Sequence, residues 1–317
     1  MKWNQFITVM GLALSLCLYG CSSDEETGDT GTTDTGTDTG TDTGTDTGTD
    51  TGTDTGTDTG TDTGTDTGTD TGTDTGAEAC ADPAGDGDFS VDLDANKCVV
   101  RLEEALVGNL VADALFDHWV CRGEPADLAV TNGGGLRTSD ELSVEGVYAA
   151  GTMTMDVAQG ILAFGNFSCA ITLSGAALLQ VFESSAADLP DREGRFLQVS
   201  SGVAVVYDEA NAGIEINDDT GEVTSEGSRV TSLTIDGVAV DSAATYTVIA
   251  SDYLLEGDGA FFGIMAPFAD TIVCEEDIAD FTEAHALYNY VSRNSPVAPE
   301  VGGRIEILNH GANPDCD

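Results

Sequence analysis

The chain has 317 residues and a formal charge of −47, with 57 Asp and Glu against 10 Lys and Arg. So acidic a surface repels polyanions, which excludes nucleic-acid binding through a basic face. The length permits two domains, but the first quarter has nothing apolar to bury once an export segment is set aside, so one folded domain of about 240 residues is expected.

In chain order, Lys2 and an apolar run over 6–19, too short to span a bilayer as a mature helix, read as an export signal over residues 1–20. The run ends in Leu18, Tyr19, Gly20 and Cys21, which resembles a lipobox. Cys21 is therefore expected to be lipidated and to anchor the chain in the cell envelope, on the outer membrane or cell surface. A secretory signal with a chance Cys is the alternative. Residues 33–76 repeat Thr-Asp-Thr-Gly without interruption. Nothing there can offset conformational entropy by forming a core, so residues 21–76 read as a disordered acidic tether rather than a solenoid or a calcium-binding repeat. Flexible-chain scaling gives it a reach of roughly 40 Å. Beyond it, 42 acids face only nine Lys and Arg.

Of eight cysteines, Cys17 falls in the signal and Cys21 at the anchor. Cys80, Cys98, Cys121, Cys169, Cys274 and Cys316 remain, an even set that suggests disulfides in an exported domain, with no pairing specified. A zinc site is the weaker alternative, because no Cys-x-x-Cys occurs and His118, His285 and His310 share no close spacing with a Cys.

The domain, 77–317, opens with Leu102, Leu106, Leu110 and Ala114 at helical spacing, predicting a helix over 103–119 with His118 exposed on it. Residues 127–131 read as a short buried strand, and Ser174 caps a helix over 174–183. Four β-rich runs, 196–199, 203–207, 230–235 and 245–249, are bounded by turn formers, and a last helix is expected over 278–292. Helices among irregularly spaced strands argue for an α+β fold, a mixed β-sheet packed with helices.

Seven motifs then follow in order: Val-Gly-Asn-Leu-Val-Ala-Asp-Ala-Leu from Val107; Asn-Gly-Gly-Gly-Leu-Arg from Asn132; Ile-Leu-Ala-Phe-Gly-Asn from Ile161; Leu-Ser-Gly-Ala-Ala-Leu from Leu173; Gly-Arg-Phe-Leu-Gln-Val-Ser-Ser-Gly from Gly194; Glu-Gly-Asp-Gly from Glu256; and Gly-Gly-Arg-Ile from Gly302. Together they resemble the C-terminal domain of the 5'-nucleotidases and UDP-sugar hydrolases over about residues 98–308.

The resemblance implies a nucleotide or nucleoside site. Arg101 and Arg137 would face the phosphate side, and Arg137, after three glycines, is better explained by an anion than by packing. For Arg101 the alternative is a surface ion pair with Glu104. Asn132 would hydrogen-bond the nucleoside, with Gly134 among glycines that admit a ligand close to the backbone or simply form a tight turn. Asn166 belongs to the Phe-Gly-Asn turn. Phe164 and Tyr253 would sandwich the base, though composition alone favours core positions for both. Asp258 would accept from the ribose hydroxyls, or merely build an Asp-Gly turn. Ala163 replaces a family proline, and the spacing from Tyr253 to Asp258 is one residue short, which puts the placement of Tyr253 in question.

Family catalysis also needs a metallophosphatase domain that holds two divalent metals through Asp-x-His, Gly-Asn-His and His-x-His motifs. The tether stands where that domain is expected, and no Gly-x-Ser-x-Gly elbow occurs. No metal or other cofactor is expected in this chain. The expectation is an envelope lipoprotein that binds nucleotides in extracytoplasmic nucleotide catabolism without hydrolysing them by itself. The alternatives are the substrate half of a split hydrolase with a separate metallophosphatase partner, and a degenerate display module.

Overall fold

The computed structural model describes residues 83–217, 221–256, 261–274 and 281–316, with a few two-residue strands in the repeat. The signal, Cys21, Cys80, Asp258 and the rest of the repeat lie outside the described residues. The repeat strands are Thr-Asp pairs in parallel register, Thr37 opposite Thr53 and Thr57 opposite Thr73. Thr, Asp and Gly give such pairing no apolar side chain to bury. The chain divides into two units, Met1–Ala79 and Cys80–Asp317, and everything below concerns the second.

Its centre is a five-stranded mixed sheet built from β1 (Leu128–Asn132), β2 (Ser168–Ser174), β3 (Leu197–Val199), β7 (Thr245–Ser251) and β8 (Val273–Cys274), in the order β3-β1-β7-β2-β8. β1 runs parallel to β7, while the other pairings are antiparallel. A second sheet, β6-β5-β4-β9, is made of β4 (Val203–Asp208), β5 (Val230–Ile235), β6 (Val238–Ala239) and β9 (Ile305–Leu308). The result is the expected α+β architecture.

Strand alternation sets the two cores. Leu128, Val130, Ile171, Leu173, Val248 and Ala250 point to one side, where helix α4 (Gly175–Ser185) packs with the short α6 (Phe262–Met265) and the second sheet. Ala129, Ala170 and Ile249 point to the other, where α2 (Leu106–Cys121) and α7 (Glu283–Arg293) lie. Small side chains on that face let α2 approach closely. At Gly108 a Cβ would fall 2.3 Å from Gln198 Cγ, so only glycine fits. Because α2 is covered by the sheet and by α7, it is apolar almost all round.

The first helix starts at Leu106 rather than 103. Glu104, which the helical pattern had absorbed, instead turns to the far end of the chain and binds the backbone of residues 302–303. α4 begins as expected: Ser174 Oγ accepts from the Ala177 amide at 3.2 Å. The last helix spans Glu283–Arg293, with residues 275–280 outside the description. The residue before its N-cap corrects the reading of His118, which is buried and stacks on Phe281 with ring centroids 4.6 Å apart. A helix that packs on both sides leaves no exposed face for residue 118.

Disulfides join Cys98 to Cys316 and Cys169 to Cys274, and Cys121 is also disulfide-bonded. Cys169 and Cys274 sit directly opposite each other on β2 and β8. The Cys98–Cys316 bridge spans 218 residues and ties the C-terminus to α1 (Lys97–Val100). Among the described residues no helix is long and apolar enough to cross a membrane.

Candidate functional site

β2 and β7 are antiparallel with Ser168 opposite Ser251, so the turn entering β2 and the segment leaving β7 emerge at the same edge. The Phe167 amide donates to Asp252 Oδ1 at 3.2 Å, and the Asp252 amide donates to the Phe167 carbonyl at 3.0 Å. Asp252 Oδ1 also accepts from the Tyr253 amide at 2.8 Å. Two bonds thus fasten the turn carrying Phe164 to the first turn of α5 (Asp252–Glu256), and the third orders that turn, which carries Tyr253. Gly165, at φ +67°, supplies the left-handed residue that the turn needs. Phe164 is 58% exposed and Tyr253 52%, and among the described residues no other aromatic side chain stands in the exposed, large apolar class.

Arg137 comes to the same place from a third loop. Its amide donates to the Ile161 carbonyl at 2.9 Å, at the end of α3 (Met155–Ile161), and its carbonyl accepts from the Tyr148 hydroxyl at 3.2 Å. The guanidinium lies 4.6 Å from the Phe164 ring centroid, a cation–π contact. Its other described bond goes only to the neighbouring Leu136 carbonyl.

Arg101 follows α1 and reaches the Arg192 carbonyl at 3.4 Å, while its Nε is buried without a partner. Burial, then the nearby Arg137 charge, holds the Arg101 guanidinium below its usual pKa; Arg192 adds to this and Glu193 opposes it. The two arginines are therefore close enough to repel. The ion pair with Glu104 is not made, since that buried carboxylate accepts from Asn109 Nδ2 at 2.7 Å and from the Gly302 and Gly303 amides at 2.8 and 2.9 Å.

Asn132 is buried and its Nδ2 donates to the Gly194 carbonyl at 2.8 Å. The glycines beside it make close approaches within the domain. The Gly133 amide donates to the Phe196 carbonyl at 2.7 Å, and that of Gly134 to the Gly194 carbonyl at 2.8 Å. A Cβ on Gly133 would sit 2.2 Å from the Val100 carbonyl oxygen. Asn166 is half-buried and its carbonyl accepts from the Glu283 amide at 3.0 Å. Phe164, Arg137 and Tyr253 thus lie on bonded or touching loops, Arg101 is electrostatically coupled to Arg137, Asn132 braces the glycine loop, and Asp258 lies outside the described residues.

Residues 86–266, more than half of the chain, match the family described as "5'-nucleotidase, C-terminal domain". The chain belongs to this family. Human 5'-nucleotidase is 26% identical over 233 residues, which cover 68% of this chain and 36% of that protein. The snake-venom 5'-nucleotidase of Crotalus adamanteus is 26% identical over 65% of this chain and 33% of its own length. Among solved structures, the 5'-nucleotidase precursor of Thermus thermophilus superposes with a TM-score of 0.59 at 26% identity, covering 71% of this chain and 39% of that one. The chain therefore spans about a third of the length of the curated relatives it matches.

Beside the aromatic loops, this 5'-nucleotidase C-terminal domain carries a titratable group that the motifs did not single out. Glu283 opens α7 and is buried, with Oε1 lacking a partner, and burial followed by the Asp252 charge pushes its carboxyl up to about 8. Through Asp252 and the Asn166 carbonyl it adjoins both aromatic loops. In sequence Thr282-Glu283 reads as an ordinary helix start, so only the packing reveals the burial. Among the described residues no group of three His, Cys, Asp or Glu is placed to hold a metal ion.

Proposed function

We propose that this domain is a nucleotide- or nucleoside-recognition module held outside the cytoplasm by a lipid at Cys21, and that it binds without hydrolysing. Two exposed aromatic rings on hydrogen-bonded loops, one of them covered by Arg137, carry this reading. A flat ring exposed to water has little reason to be held there unless another flat group covers it, and stacking on a base contributes on the order of 1–3 kcal/mol. The phosphate side falls to Arg137 and Arg101, and Asn132 and Asp258 would serve the nucleoside. The half-buried Asn166 closes the aromatic turn.

The membrane anchor, and a place in extracytoplasmic nucleotide catabolism beside a separately encoded metallophosphatase with two divalent metals, belong to the same proposal. Titration calorimetry with AMP, adenosine and UDP-glucose tests the binding; no heat at millimolar ligand refutes it. Phosphate release from AMP by the chain alone, with divalent metal present, would refute the non-catalytic part. Labelling of Cys21 by a radioactive fatty acid in the producing cell tests the anchor.

A further inference from the structure

Four arginines of the domain are engaged within the fold. Arg195 pairs with Asp188, Arg293 with Asp117 and Arg304 with Asp113, while Arg229 caps the end of α4 by binding the carbonyls of Ala186, Ala187 and Leu189. Lys97, Arg101 and Arg137 have no carboxylate within ion-pair distance among the described residues. In a domain where 42 acids face nine Lys and Arg, three unpaired cations in one neighbourhood are not a statistical residue of composition.

Two of them, Lys97 and Arg137, line one open cleft of about 220 Å³ together with Cys98, Leu136, Thr138 and Arg192, with no acidic residue in its lining, and Arg137 links this cleft to the Phe164 ring that its guanidinium covers. Arg192 is positioned by the Cys98–Cys316 bridge: its Nη1 lies 3.6 Å from Cys98 Sγ, and its Nη2 lies 3.5 Å from the exposed carboxylate of Asp315 in the segment that the bridge holds. Arg137 thus stands at a junction, with the aromatic ring on one side and two more cations on the other.

We infer that this cleft is a second anion subsite, which takes a further phosphoryl group of a phosphoanhydride, so that the ligand class is a nucleoside di- or triphosphate rather than a monophosphate. The base stacks at Phe164, the first phosphate meets Arg137, and the next lies between Lys97 and Arg192. Asp315 is a weak internal competitor for Arg192, one that a ligand phosphate displaces. The inference rests on the nucleotide reading above for its orientation, and the experiment separates the two.

Calorimetry at low ionic strength, where exposed charges are least screened, compares AMP, ADP and inorganic pyrophosphate on the full chain and on Lys97→Ala, Arg192→Ala and Asp315→Asn. ADP should bind about tenfold tighter than AMP, the equivalent of one additional charge-assisted hydrogen bond. Lys97→Ala and Arg192→Ala should collapse that ratio. Lys97 is exposed, so its substitution leaves the fold intact. Asp315→Asn should raise ADP affinity by about two- to threefold, as release of an exposed ion pair allows, a gain that misfolding cannot imitate. Equal affinities for AMP and ADP overturn the subsite and leave the nucleotide reading standing. Binding of pyrophosphate alone, sensitive to Lys97, keeps the subsite and removes the nucleotide reading. Failure of both ADP and pyrophosphate to bind overturns the subsite outright.

Discussion

Replacing Glu104 by Ala removes the carboxylate that joins the start of the domain to its end. Four donors lose an acceptor: Asn109 Nδ2, fully buried, the amides of Gly302 and Gly303, which lie at the surface, and the Ile305 amide, whose bond is long at 3.4 Å and adds little. Hydrogen bonds to a charged group contribute about 1.5–3 kcal/mol each, and a surface amide recovers part of that from water. Taking roughly 1 kcal/mol for each glycine amide and 1–2 for the buried asparagine gives a loss of about 3–4 kcal/mol. That is a large share of the roughly 5–15 kcal/mol that a domain typically has. Urea unfolding with the disulfides kept oxidised should show the midpoint falling by about 1 M at unchanged slope, for a slope near 3 kcal/mol/M. Glu103→Ala is the control: its side chain is exposed, and the change should stay within about 0.5 kcal/mol. A Glu104→Ala midpoint within error of this control would refute the clamp.

Phe164→Ala should weaken nucleoside binding by about 5- to 150-fold, the loss of one stacking partner, while urea unfolding stays within about 0.5 kcal/mol because the ring is mostly exposed. Arg137→Ala should behave alike, weakening phosphate-bearing ligands more than adenosine; a display module would show no change in either assay. For Glu283, a folded-state pKa of about 8 lies above the ordinary carboxyl value, so the folded domain keeps a proton that the unfolded chain releases. Stability should therefore be highest near pH 5 and fall as pH rises through about 8, and Glu283→Gln should flatten the profile and exceed the parent at pH 9. A variant less stable than the parent at pH 9 would contradict this. Gly133→Ala should lower the melting temperature markedly, since its Cβ meets the Val100 carbonyl at 2.2 Å, whereas Gly85→Ala, with open space around it, should not.

Elements with strong local signals were legible in the sequence. Ser174 and its apolar spacing mark α4 almost to the residue, and β5 coincides with its β-branched run at 230–235. What escaped was set by tertiary contacts. α3 buries only Ala158 and Ile161, too few for a visible helical stripe. β8 is two residues long and exists because Cys274 is tied to the residue opposite it on β2. His118 looked like a solvent-facing residue only because the helix covering it, α7, lies more than 160 residues further on. The exposure of Phe164 and Tyr253 runs against composition, which favours burial for an isolated aromatic.

The motifs divide by whether their polar groups are satisfied within the fold. Asn109 and Asp113, from the first motif, bind Glu104 and Arg304; the Arg304–Asp113 contact is bidentate, at 2.7 and 2.8 Å, and Arg304 also reaches the Val199 carbonyl at 3.0 Å. The first and last motifs are thus coupled to each other, and these contacts need no ligand to explain them. The glycine loop is likewise consumed by Gly194 and Phe196. Arg137, the Nε of Arg101 and the faces of Phe164 and Tyr253 are left over. A buried N–H without an acceptor and two exposed rings each reduce stability in the empty domain, and they lie together on loops that the satisfied motifs hold rigid. Unpartnered buried oxygens occur elsewhere too, among them Asn109 Oδ1 and Ser292 Oγ, so an unsatisfied atom alone does not mark a site. What sets this edge apart is that a guanidinium with no carboxylate partner among the described residues lies over one of two exposed rings, the combination expected where a fold supports something planar and anionic.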